Sequence, residues 1–147
     1  MNEQLDRSEA PVRLFTVEEA NQMLPLVKSI VRDIVELSRD LIERREQLRL
    51  LAGDRSKRTG NLYDEEIAQR ESEAEQDLQR LESFVHELME LGVELKDPRE
   101  GLVDFPTIMD GRPALLCWKL GEEDVRFWHD LHAGFAGRQP LGQPACS

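Results

Sequence analysis

His129 and His132 stand three residues apart near the end of the chain, with Glu122 seven residues before the first of them. On a helix this spacing puts all three on one face, which is how metal-ligating side chains are often presented. Asp104, together with Asp97, can arrive from the strand and loop that precede them. Two imidazoles with one or two carboxylates suit a divalent transition metal such as zinc, iron or manganese. The metal candidates are therefore Glu122, His129, His132 and Asp104, although the chain lacks the H-E-x-x-H signature.

Two other chemistries compete for the same stretch. "GFAGR" sets Gly134 and Gly137 beside Arg138, and exposed glycine amides with a planar guanidinium can hold a phosphate or carboxylate. Trp118 and Trp128 would wall such an anion pocket. The motif does not sit between a strand and a helix, as nucleotide-binding loops do. A tight turn with Arg138 paired to Asp104 or Glu122 is the plainer account. Cys117 and His129 form a nucleophile–base pair in name. Cys117, however, lies within the apolar run "ALLCWKL", where a buried inert thiol is the usual outcome.

The reading that needs no ligand is structural. Trp118, Phe127, Trp128 and Phe135 would form the small core of a C-terminal unit, because aromatics bury much area per residue. His129 would then donate to a backbone carbonyl, or to Asp104 or Glu122. The sequence favours this account, with the polar cluster beside the aromatics as the place where a ligand would sit.

These residues must be positioned by the elements before them. "FTVEEANQM" opens a helix: Thr16 with Glu19 three residues on is a capping box, and Glu18 and Glu19 suit the helix dipole. Leu14 and Phe15 arrive where they can staple the first turn. Pro25 removes a donor inside the pattern and predicts a kink or a delayed start. Ala20, Leu24, Val27, Val31, Ile34, Leu41 and Leu48 step by threes and fours, a seam interrupted at Ser38 and Arg45. Met23, Ile30 and Leu37 widen this stripe beyond what one partner helix covers. A second seam runs Ile67, Glu71, Ala74, Leu78, Leu81, Val85 and Leu88, and Gly92 stops it. The basic, glycine-containing "AGDRSKRTGN" joins the two as an antiparallel hairpin whose arms span roughly 45 to 50 Å. So long a hairpin predicts a homodimer through the helices.

After Gly92 the period shortens. "VEL" suits a short strand. "LVDFPTIM", then Asp110–Gly111, then "RPALLCWKL" predicts a β-hairpin, because Asp-Gly favours the two-residue turn. Alternation along the second strand sends Trp118 to the more apolar face and Cys117 to the other. Pro106 and Pro113 each lack a ladder donor, which predicts a small sheet with exposed edges. "EEDVRFWHDL" predicts a short helix, and "HAGFAGRQPLGQP" a covering loop. The fold class is α+β, mostly α. Residues 1–13 form a flexible N-terminus and 14–147 one domain, made of the hairpin (14–92) and a small α+β unit (93–147).

Composition narrows the function. Of 147 residues, 39% are hydrophobic and 33% charged, with a formal net charge of −11 that opposes nucleic-acid binding. Ten acids face only Arg70 and Arg80 between Leu62 and Gly92, so the second helix presents a solvated acidic face or a surface for a protein partner. The N-terminus is no secretory signal, and no run is apolar enough for a membrane span. Two unpaired cysteines, Cys117 and Cys146, fit a reducing cytoplasm.

"FTVEEANQMLP", "LGVELKDPREGLVDFP" and "LCWKLGEEDVRFWHDLHAGFAGRQPL" together resemble a bacterial family of uncharacterised proteins, domain of unknown function 2203, from Leu14 to Leu141. The resemblance implies a cytoplasmic bacterial location, and marks Asp97, Asp104, Trp118, Glu122, Trp128, His129, Gly134, Phe135, Gly137 and Arg138 as belonging to its motif. It implies no activity. The expectation is a non-enzymatic dimeric interaction or ligand-binding module; the alternative is a metal-dependent enzyme or metal-binding protein using the Glu/His cluster.

Overall fold

The computed structural model describes residues 13–53 and 61–142. The N-terminal segment expected to be flexible (apart from Arg13), most of the basic linker, and Cys146 lie outside the described residues.

Helix α1 (Val17–Gly53) begins at the capping box. The Thr16 N–H donates to Glu19 Oε1 and the Glu19 N–H to Thr16 Oγ1, each at 3.0 Å. Such a cap contributes about 1 kcal/mol. The helix starts before Pro25 and runs through it, so the start is not delayed. The missing donor falls at an exposed position. Helix α2 (Asn61–Glu90) returns antiparallel to α1. Leu24 and Val27 share one buried cluster with Leu88, and further out Arg44 bonds Asp77. Gly92 ends α2 at φ +89°, with the Val93 N–H donating back to the Leu88 carbonyl.

The broad apolar stripe of α1 is covered within the same chain. Ala20, Leu24, Val27, Val31 and Ile34 are buried together with Val103, Phe105, Leu116 and Trp118 of a sheet. That sheet is an antiparallel meander of five strands in chain order: β1 (Glu94–Asp97), β2 (Leu102–Met109), β3 (Arg112–Lys119), β4 (Phe127–Asp130) and β5 (Gln139–Pro140). Between β2 and β3, Asp110 and Gly111 both have positive φ, 52° and 75°, the turn whose twist matches the strands. Pro106 lies beyond the reach of β1. Its carbonyl accepts the Phe15 N–H at 2.8 Å, and Thr107 Oγ1 donates to the Phe15 carbonyl at 2.6 Å. The chain entering α1 thus closes the edge that the proline leaves.

The expected short helix over "EEDVRFWHDL" is not there; the segment is an irregular turn followed by strand β4, and among the described residues the C-terminal unit has only a 3-10 turn at Phe135–Gly137. Two contacts decide this. Asn21 of α1 clamps Val125, accepting its N–H at 2.7 Å and donating to its carbonyl at 3.4 Å. Phe127 to Asp130 then pair with Cys117 to Ala114 of β3. Glu123 and Asp124 bind Arg126 instead of opening a helix. No described helix is long and apolar enough to cross a membrane.

Candidate functional site

In an antiparallel sheet, paired residues share a face and neighbours alternate. Val103, Phe105, Leu116 and Trp118 face α1, so Asp104, Cys117 and His129 face away from it. Asp104 lies directly opposite Cys117, and His129 opposite Leu115, one pleat along. Three neighbouring strands therefore deliver a carboxylate, a thiol and an imidazole to one place. Their candidate ligand atoms all lie within 4.8 Å of one another, and all three residues are buried. Among the described residues they are the one such group of three or more.

The hydrogen bonds orient the imidazole. His129 Nδ1 is 2.8 Å from the Asp130 carbonyl, which can only accept, so Nδ1 carries a proton. Nε2 is thereby aimed at Asp104 and stands 3.2 Å from each carboxylate oxygen. One further proton lies in that contact, held by either partner. Burial pushes the Asp104 carboxyl above its usual range, and His129 opposes that rise. Burial pushes the Cys117 thiol up to about 12, with the Asp104 charge adding to it. Cys117 is thus a protonated, sheltered thiol and no ready nucleophile.

Two results are expected in chelator-treated buffer, in a Cys146→Ser background. Native protein should resist alkylation at pH 8, while urea-unfolded protein reacts at once. The unfolded thiol ionises near 9.0, whereas the folded thiol holds its proton to about 12. Folding stability therefore falls as pH rises through this window, by up to about 1.4 kcal/mol per pH unit from this one group. Cys117→Ala should remove that slope; equal slopes in the two proteins would refute the assignment.

The other candidates are placed elsewhere. Glu122 leaves the histidines and binds Arg138 in a two-pronged pair, with Nη1 and Nη2 at 2.7 and 2.9 Å from its oxygens. Arg138 also donates to the Cys117 carbonyl at 3.4 Å and lies over the rings of Phe127 and Phe135 at 4.0 and 4.5 Å. Its charge is therefore already matched. Gly134 and Gly137 form a closed turn, in which the Gly137 N–H donates to the Gly134 carbonyl and the Arg138 N–H to that of Phe135. Trp118 is fully buried against α1, half-buried Trp128 packs against the same core opposite Leu116, and the Trp118 indole N–H donates to the Glu122 carbonyl at 3.0 Å. Phe127 and Phe135 lie with Arg138 and not with the tryptophans, and Phe135 is 42% exposed. His132 is exposed in the turn after β4, and Asp97 Oδ1 accepts the Arg99 and Glu100 N–H groups.

Sequence reasoning named Asp104 and His129 together as metal candidates and paired Cys117 with His129 only as a nucleophile, so Cys117 was left out of the metal set. The signal was present: counting outward equally from the Asp110–Gly111 turn reaches Asp104 on one strand and Cys117 on the other. His129 joins them only once β4 is known to be a strand.

Comparison with family models places residues 13–141 under one described as "Uncharacterized conserved protein (DUF2203)". Comparison with curated proteins and with solved structures found no match.

Proposed function

Because the chain belongs to the family of uncharacterised conserved proteins DUF2203, we propose a function from its geometry: a cytoplasmic, non-enzymatic association module whose helical hairpin pairs with a second copy. One observation carries this reading. The outer part of the hairpin extends past the sheet, and a groove there is lined by Leu41, Ile42, Leu48, Ala74, Leu78 and Leu81. Ile42 is 50% exposed and the other five are half-buried.

The two charged breaks in the seams, Arg45 on α1 and Glu71 on α2, also border this groove, as does the third polar break, Ser38. Neither Arg45 nor Glu71 belongs to a salt bridge among the described residues. A two-fold interface is self-complementary, so opposite charges on opposite walls suit a second copy turned end for end. Charged residues in an apolar seam set register and partner at some cost in stability. Exposed acids of α2 that do not line this groove, such as Glu66, Glu73 and Glu87, would stay free in such a pair and suit a basic protein surface. The buried free thiol of Cys117 fits a reducing compartment.

Light scattering should give about twice the 17.0 kDa chain mass. Arg45→Glu should weaken the dimer by roughly 10- to 100-fold, or about 1.4 to 2.8 kcal/mol. Adding Glu71→Arg should restore it. A strict monomer at high concentration would end the proposal, and so would an Arg45→Glu protein that dimerises as tightly as the parent.

A further inference from the structure

We propose that Asp104, Cys117 and His129 form a buried binding site for one zinc-class divalent metal ion per chain, independent of the association surface. Geometry is the first support. The three ligand atoms come from adjacent strands β2, β3 and β4, so they are spaced by the sheet itself and not by loops. The 3.2 Å between His129 Nε2 and each Asp104 oxygen matches the ~3.3 Å between two ligands at about 2.0 to 2.1 Å from a tetrahedral ion.

Orientation is the second support. The Nδ1 proton of His129 is held by the Asp130 carbonyl, so the Nε2 side faces the other two groups. This is the backing that metal-bound histidines ordinarily have. Charge is the third. A divalent ion with one carboxylate, one thiolate and a neutral imidazole is neutral as a set, which suits a site whose residues are at most 2% exposed. The donors also choose the metal class. Thiolate sulfur with imidazole nitrogen favours zinc and its late-transition neighbours over magnesium or calcium, which prefer oxygen.

Proton release opposes binding, because the metal displaces both the proton in the His129–Asp104 contact and that of Cys117. Burial holds the Cys117 thiol proton up to about 12, so ionising it weakens affinity at neutral pH. Affinity should therefore rise with pH as these protons are given up.

Cobalt(II) alone is the probe, used on full-length, tag-free protein carrying Cys146→Ser, refolded with the metal because the site is buried. The expected result is one cobalt per chain with a thiolate-to-cobalt charge-transfer band in the near ultraviolet. Cys117→Ala should lose the band and the bound metal while keeping the parent's circular dichroism. His132→Ala, altered at an exposed turn, should keep both. Zinc should raise the unfolding midpoint of the parent and leave that of Cys117→Ala unmoved. Absence of the band in the folded parent would overturn the site, as would equal cobalt binding by Cys117→Ala.

Discussion

Gly101→Ala is expected to lower folding stability by about 3 kcal/mol, a large share of the roughly 5 to 15 kcal/mol that holds a domain of this kind. Gly101 sits in the turn between β1 and β2 at φ +72° and is buried where the sheet meets α1. A Cβ there would stand 2.7 Å from Leu120 Cβ, 3.0 Å from Val31 Cγ1 and 3.1 Å from Val35 Cγ2. The left-handed backbone costs an alanine about 1 to 2 kcal/mol, and overpacking a dense interior about 1 to 3 more. Relief would require the sheet to shift on the helix. Backbone bonds also pass through this turn: the Gly101 N–H donates to Asp97 and the Leu120 N–H to Gly101.

Gly111→Ala is the matched control. It has φ +75° with no atom within 4 Å of the added carbon, so only the backbone cost of about 1 to 2 kcal/mol applies. Urea unfolding of both variants separates the two contributions. Equal losses would mean that the close packing of the sheet turn on Val31 and Val35 is wrong.

Trp118→Ala should cost about 3 to 5 kcal/mol, because the largest fully buried side chain leaves a cavity between sheet and helix. The change reaches beyond the cavity. Trp118 Nε1 donates to the Glu122 carbonyl, and the Glu122 carboxylate both accepts the Lys119 N–H at 2.9 Å and holds Arg138. Truncation should therefore loosen the C-terminal loop, with faster amide exchange over residues 134–141 than over α2. Trp118→Phe keeps most of the apolar volume and should lose about 1 to 2 kcal/mol, chiefly through the unpaired carbonyl. A loss below about 1 kcal/mol in Trp118→Ala, or an unchanged loop, would contradict this arrangement.

Features carried by near neighbours in the chain were legible without a structure. Thr16 and Glu19 are three residues apart, and their reciprocal bonds need only the local turn of a helix. Asp110–Gly111 accepts positive φ at both positions, which sets the β2–β3 register and with it the opposition of Asp104 and Cys117. Alternation then placed Trp118 on the apolar face. The expected pairing of Arg138 with an acid also stands, with Glu122 as the partner.

The strand at Phe127–Asp130 was not legible, because its cause lies far away in the sequence. "EEDVRFWHDL" has the acids of a helix start, and its apolar positions serve either period. Asn21, about a hundred residues earlier, holds Val125 extended, and the open edge of β3 supplies bonds that a helix would have drawn from itself. That single change of period turned His132 out to solvent, drew Glu122 to Arg138 and set His129 beside Asp104.

The sequence by itself determined two amphipathic helices, their cap and stop, and the β-hairpin with its turn, since each rests on contacts within a few residues. Only the tertiary structure decided that His129 joins Asp104 and Cys117, and that Glu122 is the acid Arg138 takes. Asp104, Cys117 and His129 come together through the pairing of three strands, and strand pairing is a contest between distant segments for the same backbone hydrogen bonds.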